Sequence, residues 1–397
     1  MANLLTAVLP KLLAQGLLAL RQNTVMPRIV NRGYDGMAAQ RGDTINIPIP
    51  SAVAVQDVTP AAFPPSTADI APTSVPVVLN KWKEAPFYMT DKDQMDVMEG
   101  TIPMQASEAL KALANQMDND TLAAFGLIYG FAGTPGTTPF TALPSGYVAP
   151  TTSDYTAARA VLNRQNAPLT DRRVVLDPDA EGAALNLRAF QDASYGAGNS
   201  AVMAGMLGMK MGADWYMDQN VASHTNGSLT DGSGTPHKCL INGAVTAGLA
   251  TMNVDATSLT GTIVRGDIFT VAGQTQTFVV TNATPVTAAA NAATGITFSP
   301  VVPTGGFADN AQVTFKGAPS LVWVRNLVFH RDCVAFGSRP LADLQLSDSL
   351  IQAMPDPVTG VVLRLEISRE HKRTRFSWDT LYGVELVRPE LGCILAG

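Results

Sequence analysis

The chain has 397 residues, enough for two or three domains with sizeable hydrophobic cores. Its 27 basic and 33 acidic residues give a net charge of −6, which argues against high-affinity binding of nucleic acid. Charged residues make up only 15% of the chain, against about 25% in ordinary soluble domains. Such a chain is expected to place much of its surface against other chains, although abundant Ala, Thr and Gly would also lower the charged fraction.

Cysteine usage and the N-terminal residues predict the compartment. Cys239, Cys333 and Cys393 lie far apart and form no CxxC pair, so they are interpreted as buried or free thiols of a reducing compartment. The stretch MANLLTAVLPKLLAQGLLAL has no basic start and no small-residue cleavage pattern, and Lys11 interrupts its apolar part. Together with Pro10, this predicts a soluble protein made in the cytoplasm.

The same N-terminal stretch has a helical period. Its apolar residues recur at steps of three and four and form one stripe: Leu4, Leu5, Val8, Leu9, Leu12, Leu13, Leu17 and Leu20. An amphipathic arm needs a surface for this stripe, either on its own domain or on a neighbouring subunit. The segment alone favours neither.

Residues 33–90 indicate two extended arms. Residues 42–50 alternate polar and apolar side chains as a strand does, and residues 75–89 form a second extended stretch. The segment between them is too rich in proline for a helix or a central strand. With about a dozen residues per arm, this hairpin would reach roughly 40 Å. Because an isolated ribbon is marginal in water, the hairpin 43–89 is predicted to lie on an adjacent subunit and not on its own.

Residues 102–129 predict one long helix. Pro103 stands in the first turn, where proline is tolerated, and one apolar stripe follows. At ~1.5 Å per residue the rod is roughly 40 Å long, which fits either a strut for flanking segments or an ordinary core helix. The residues 118–121 are weak helix formers placed together, so a kink is predicted there.

The remaining chain predicts an α/β part with an all-β insertion. A helix over 153–167, a buried strand and a further helix suggest an α/β domain between 153 and 222. From His224 to about Lys316, short strands alternate with frequent turn signals, as in a small barrel or sandwich. The C-terminal part predicts three strands, with tight turns near 368–370 and 382–383, that return to pack against the long helix.

No catalytic, cofactor-binding or metal site is predicted. The triplet His330-Arg331-Asp332 resembles the kinase catalytic loop, but Gly337 stands where that loop has Asn. His237 with Cys239 lacks the second half of a zinc site, so an ordinary loop is favoured. The glycines of 205–212 fit neither phosphate-binding pattern.

Two groups of charged residues have a structural interpretation beside a functional one. Asp177 and Asp179 are interpreted as a helix cap and not as a catalytic pair. A basic run near the C-terminus is either a phosphate or carboxylate contact or a solvated edge strand, and the second is favoured. This run consists of Arg369, His371, Lys372, Arg373 and Arg375.

In their order, these parts resemble the major capsid protein of tailed bacteriophages, the Hong Kong 97-type fold. Four stretches are similar to the coat-protein subfamily of short-tailed Salmonella-type phages: GDTINIPIP, MLGMKMGADWYMDQNV, NLVFHRDCVAFGSRPL and TLYGVELVRPELGCIL. That subfamily carries a β-barrel insertion domain. The resemblance covers nearly the whole chain. It is weak in the insertion, where only the segment GDIFTVAG is similar to that subfamily.

The resemblance implies an α+β, Hong Kong 97-type capsid fold with an inserted all-β domain. Its parts would be an N-terminal arm 1–32, an extended loop 33–90, a P-domain with spine helix and C-terminal strands 91–150 and 341–397, an A-domain 151–223 and 320–340, and a β-barrel insertion domain 224–319.

The resemblance also implies a non-enzymatic shell subunit of the virion, assembled in the host cytoplasm. Copies would form hexamers and pentamers of an icosahedral shell around double-stranded DNA. The implied partners are the chain itself, a scaffolding protein, a portal protein at one vertex and weakly held DNA, with no membrane, cofactor or metal. The acidic balance fits a lining that lets DNA leave. Two alternatives are an encapsulin-type compartment shell, which normally lacks a barrel insertion, and an enzyme with a β accessory domain.

Overall fold

The computed structural model describes residues 24–34, 44–50, 55, 60, 72–92, 101–141, 152–187, 190, 207–231, 238–341, 349–356 and 360–397. The N-terminal arm therefore lies outside the described residues up to residue 23. In the described parts the chain mixes helices and sheets, which confirms the α+β character. It divides into two compact units. Among described residues, the first unit comprises 31–114 and 335–387, and the second comprises 24–30, 115–334 and 388–397.

The helices of the described residues are α1 Met26–Ile29, α2 Thr101–Ala124, α3 Ser153–Arg164 and α4 Pro178–Leu185. Short 3-10 turns cover Phe125–Leu127, Arg331–Cys333 and Pro389–Leu391. The strands are β1 Thr44–Ile49, β2 Thr73–Val78, β3 Lys81–Thr90, β4 Phe131–Gly133, β5 Arg172–Leu176, β6 Gly208–Lys210, β7 Ala213–Met217, β8 Ser223–Thr225, β9 Lys238–Ile241, β10 Thr251–Asp255, β11 Thr262–Ile263, β12 Ile268–Val271, β13 Thr277–Val280, β14 Val286–Thr287, β15 Ala292–Ser299, β16 Gln312–Phe315, β17 Val322–His330, β18 Val334–Arg339, β19 Ser349–Pro355, β20 Val362–Glu370, β21 Arg373–Leu386 and β22 Gly392–Ala396. Among these helices, none combines the length and apolar character that a membrane span requires.

The first unit is built on a sheet that packs against the first half of α2 and in which β19, β20, β21 and β3 are antiparallel to their neighbours among these strands. The strands run in the order β18-β21-β20-β19, and β3 pairs with β21. Strand residues two apart and helix residues three or four apart face the same core, as their periods require. That core contains Met89, Ala106, Leu110, Leu113, Leu363, Leu365, Ile367, Phe376 and Trp378. The predicted packing of the C-terminal strands on the long helix is confirmed.

One of the two predicted C-terminal turns is wrong. The first turn falls at His371–Lys372, close to its predicted place, but β21 runs without a break through Tyr382 and Gly383. Gly383 serves a close backbone approach and not a turn. A Cβ atom at this position would lie 2.4 Å from the carbonyl oxygen of Val78.

The extended loop is shorter in its paired part than predicted. β1 and β2 form an antiparallel ribbon of six residues per arm, from Thr44 opposite Val78 to Ile49 opposite Thr73. The second predicted arm breaks after β2, and its remainder becomes β3, which pairs with β21. The expected dozen residues per arm is therefore wrong.

The described part of the ribbon packs on its own chain. Ile45, Ile47 and Val77 are buried in one cluster with Leu79, Ala335 and Val387. The prediction that the hairpin lies on an adjacent subunit and not on its own is wrong for these residues. Alternation puts enough apolar side chains on one face of the ribbon to form a local core. Residues 51–71 of the predicted tip lie outside the described residues, apart from Val55 and Pro60.

The second unit contains a seven-stranded sheet in the order β4-β22-β17-β5-β7-β6, with β8 paired to β17. β5 and β7 are parallel, whereas β17 is antiparallel to both β5 and β22. α3 packs on this sheet, where Tyr155 and Trp215 have ring centroids 4.9 Å apart. The predicted strand–helix alternation is present, with α3 ending at Arg164 and not at residue 167.

The long helix is slightly shorter than predicted. α2 ends at Ala124, a 3-10 turn follows, and Ile128 is already extended. The helix runs without interruption through residues 118–121, where Oγ1 of Thr121 donates to the carbonyl of Met117 at 2.7 Å. Such a bond back along the helix favours bending, so the kink stays a prediction.

Between β8 and β17, six strands close into a barrel in the order β10-β15-β13-β12-β16-β9. Its interior combines aliphatic residues with a cluster of aromatic rings, for example Phe278 with centroids 5.5 Å from Phe269 and 5.7 Å from Phe298. The chain leaves the larger sheet at β8 and returns at β17, and these strands pair with Val322 opposite Thr225.

Candidate functional site

The outer face of the first unit's sheet carries a ladder of ion pairs. Because side chains alternate along strands, the face turned away from α2 receives residues offset by one from the core residues. There, Nε of Arg364 donates to Oδ1 of Asp379 at 2.9 Å in a two-armed pair. Nε1 of Trp82 donates to the other oxygen of Asp379 at 3.0 Å. Asp379 is 4% exposed, so these partners replace the hydrogen bonds that water would otherwise make.

Arg373 and Arg375 of the basic run belong to this ladder, whereas Arg369 alternates in step with the core residues Leu365 and Ile367 and lies on the other face of the sheet. Arg369 pairs with Asp91 at 2.6 Å, Nε of Arg373 donates to Glu370 at 2.6 Å, and Arg375 pairs with Glu84. Those three carboxylates neutralise the three arginines, and the hydroxyl of Ser377 also donates to Glu84. The edge-strand interpretation is wrong, since β21 lies between β20 and β3. His371 and Lys372 form the turn.

The edge of this sheet exposes two large aromatic side chains. Trp82 is 62% exposed and Tyr88 is 48% exposed, both on β3. The guanidinium of Arg373 stacks 4.5 Å above the ring of Tyr88. In the described part of the chain, β3 pairs with β21 alone. An edge strand with exposed aromatics has the properties of a protein-binding surface, and it contains no acid–base pair suited to chemistry.

The kinase-like triplet has a local structural role. His330 ends β17, and its Nδ1 accepts the backbone N–H of Asp332 at 3.2 Å, which caps the following 3-10 turn. Burial lowers the pKa of His330, so the neutral ring that can accept this bond is favoured. The interpretation of the triplet as a chance match agrees with this geometry.

The acidic pair near Pro178 is a helix cap. Asp177 is the N-cap of α4, and its Oδ2 accepts the backbone N–H of Asp179 at 3.3 Å. Pro178 stands at the first helical position, as expected from its fixed φ. The cap interpretation is confirmed.

The cysteines are buried and free. Cys239 lies in the barrel core, where burial raises the pKa of its thiol to about 12. Cys333 and Cys393 are fully buried as well. His237 lies outside the described residues, and in the remainder no group of three or more His, Cys, Asp or Glu side chains could hold a metal ion.

A buried hydrogen-bond network at the base of the barrel was not predicted from the sequence. Arg325 donates to the carbonyl of Gly126 at 3.0 Å and to that of Gly266 at 2.7 Å. Burial lowers the pKa of Arg325 to about 10, against the effect of nearby Asp267. Asp267 pairs with Nε2 of His224 at 2.9 Å. The available signal was a single arginine within the apolar strand VWVRNLVFH.

A pocket of about 330 Å3 lies in the second unit beside the turn between β12 and β13. Phe131 and Val161 provide its apolar walls, and Arg164 and Gln276 are among its polar groups. Glu390 also lines it but is bonded to Arg388 at 2.8 Å. The lining thus offers no unpaired carboxylate beside a base.

No family model matches the chain, and no curated protein matches it by sequence. Among solved structures, the chain is similar to one of Mycobacterium phage Che8, with 15% identity, 94% of this chain and 90% of that chain covered, and a TM-score of 0.49. It is also similar to the capsid structure of the cyanophage P-SCSP1u, with 12% identity, coverage of 89% and 83%, and a TM-score of 0.45. A virus-like particle from Pyrococcus furiosus is similar at 9% identity, coverage of 97% of both chains and a TM-score of 0.40.

Proposed function

We propose that the chain is the major capsid protein of a tailed bacteriophage, a shell subunit without enzymatic activity. The observation behind the proposal is the order of elements along the chain. A ribbon, β1–β2, precedes the 24-residue helix α2, which packs on strands from the C-terminal part. The second unit then interrupts its mixed sheet with the barrel. This is the order that the sequence resemblance requires.

The surface chemistry supports an assembling protein. Trp82 and Tyr88 leave about half or more of their side chains exposed on an edge strand, beyond their contacts with Asp379 and Arg373, and exposed aromatic surface of this kind marks a protein interface. In the proposed shell, copies associate into hexamers and pentamers of an icosahedral container, formed in the host cytoplasm. In this proposal the extended loop is 33–90, and the spine helix with the C-terminal strands is 91–150 and 341–397. The A-domain is 151–223 and 320–340, and the insertion domain is 224–319.

The charge distribution supports weak contact with packaged DNA. Net charge is −6, and the arginines of the basic run are already paired with carboxylates. When DNA contacts an inner shell surface of this kind, few counterions are released from the DNA, so the surface binds DNA weakly and without sequence preference. A scaffolding protein during assembly and a portal protein at one vertex complete the proposed set of partners.

Electron microscopy of the purified protein, expressed with its neighbouring genes, tests the proposal. Closed shells that contain or admit double-stranded DNA are expected. Closed shells filled with an enzyme would instead identify an encapsulin-type compartment. Monomers that stay soluble at high concentration with all neighbouring genes present would overturn the shell proposal and reopen the enzyme alternative.

A further inference from the structure

A buried carboxylate holds the segment 24–30 against the long helix. Asp118 lies in α2 and has no exposed surface. Its Oδ1 accepts the backbone N–H of Met26 at 3.0 Å, and its Oδ2 accepts that of Val25 at 3.2 Å. These N–H groups belong to the start of α1, which has no capping side chain of its own. Asp118 therefore does the work of a helix cap from 92 residues away.

A second buried carboxylate acts on the first. Asp218 follows β7 directly and is 3% exposed. Its Oδ1 accepts the backbone N–H of Asn220 at 2.8 Å, whereas its Oδ2 is buried without a hydrogen-bond partner. The negative charge of Asp218 acts on Asp118. Two buried carboxyl groups that interact in this way resist being ionised together.

The surrounding elements do not neutralise this pair. In the described residues, Arg28 of α1 is exposed and no ion pair joins it to Asp118. On α2 itself, Asp120 accepts a hydrogen bond from Gln116 at 3.2 Å. Asp177, at the end of the neighbouring strand β5, caps α4. Arg173 of β5 reaches the same segment, where its Nη1 donates to the carbonyl of Arg28 at 3.5 Å. The charge that acts on Asp118 is that of Asp218, and a proton is the available counter-charge.

We propose that Asp118 and Asp218 form a proton-dependent latch, which holds residues 24–30 on α2 while the pair retains one proton and releases them when that proton passes to solvent. Oδ1 of Asp118 lies 3.3 Å from the nitrogen of Val25 and 3.0 Å from that of Met26, so one carboxyl oxygen can accept both N–H groups while Asp118 holds the proton. The second negative charge adds repulsion without adding an acceptor that the segment needs.

The pKa values agree with this direction. Burial first, and then the charge of Asp218, raise the pKa of Asp118 from 3.8 to about 7, against the opposing N–H bonds from Val25 and Met26. Burial also raises the pKa of Asp218. A group whose pKa is higher in the closed state favours closure below its ordinary pKa, and this contribution is lost as the pH rises through the closed-state value. The latch therefore weakens between about pH 4 and pH 7 and changes little above that range.

Hydrogen exchange on the full chain, followed by mass spectrometry between pH 5 and pH 8.5, tests the latch. After correction for intrinsic exchange, the opening constant of residues 24–30 should rise by up to about tenfold per pH unit and level off near pH 7. Asp118→Asn should remove this dependence, because the amide keeps an acceptor oxygen and cannot ionise. Asp218→Asn should move the levelling-off to lower pH. Barrel amides in 238–315 provide an internal reference, and Asp120→Asn is the matched control that should keep the wild-type profile.

Either of two results would overturn the proposal. The first is a wild-type opening constant that does not change with pH once intrinsic exchange is removed. The second is an Asp118→Asn variant that keeps the wild-type slope. If Asp118→Asn does not fold, an Asp218→Asn variant with the unshifted wild-type profile overturns the proposal equally.

Discussion

At the scale of single residues, isolated charges in apolar strands and helices are engaged inside the fold. Arg325 and Asp118 are both buried, and each contacts backbone groups distant in sequence. The sequence could not predict these contacts, because a lone charge has the same pattern whether it faces solvent or a buried carbonyl. The cap at Asp177 was predictable, since its partner Asp179 is only two residues away.

The pair Arg364–Asp379 should contribute strongly to the stability of the first unit. Its side chains are 12% and 5% exposed, so Arg364→Ala leaves a buried carboxylate that has, among the described residues, only Trp82 as a side-chain donor. We expect a loss of about 3 kcal/mol in the free energy of unfolding, measured by denaturant titration of the soluble subunit. The control is Lys111→Ala, which removes an exposed pair with Glu108 and should cost less than about 0.5 kcal/mol. Equal losses in the two variants would contradict the argument.

At the scale of elements, the periodicity of apolar residues correctly predicted which segments form helices and strands and which of their faces enter the core. The 3.6-residue period of α2 and the alternation in β20 both appear in one core, where Leu110 meets Leu365 and their neighbours. Two features escaped prediction because they depend on distant chain segments. The break between β2 and β3 reflects two different partners, β1 and β21. Gly383 was predicted to be a turn residue because glycine often marks turns. Its real role is to let the backbone of Val78 approach closely, and the sequence does not show that contact.

Gly383→Ala should therefore destabilise the ribbon. The added Cβ would lie 2.4 Å from the oxygen of Val78, so one strand must shift. We expect a cost of about 1–3 kcal/mol in the free energy of unfolding, seen as a lower thermal midpoint. Gly182→Ala is the matched control, since a Cβ there meets nothing within 4 Å and the residue lies inside α4. That variant should be stabilised by about 0.5–1 kcal/mol, and a lower midpoint for it would refute the reasoning.

At the scale of the whole molecule, the proposed shell places the aromatic edge of β3 at a contact between copies. Tyr88→Ser should leave the subunit folded but lower the yield of closed shells by about tenfold or more, as expected when a central interface aromatic is lost. Gradient sedimentation of the assembled material measures this yield. Leu169→Ser is the control, because Leu169 is 64% exposed and lies in the second unit. Equal shell yields from the two variants would remove β3 from the interface.

The insertion domain proposed for residues 224–319 should fold without the rest of the chain. Its barrel is closed, so every barrel strand has two neighbours, and its core of Phe, Val and Ile residues is contained within it. An isolated fragment 224–319 is expected to unfold in one cooperative thermal transition, followed by circular dichroism. A broad, non-cooperative melt would contradict this expectation.

The pairing of β8 with β17 has a practical consequence for engineering. The chain enters and leaves the barrel on adjacent strands, so a foreign domain with neighbouring termini can be spliced in its place while the flanking sheet keeps its path. Such a graft would strip Arg325 of the Gly266 carbonyl and leave a buried cation short of a partner. Each graft should therefore be combined with Arg325→Leu. Comparing the solubility of the graft with and without this substitution would show how much the buried guanidinium limits replacement of the barrel by a foreign domain.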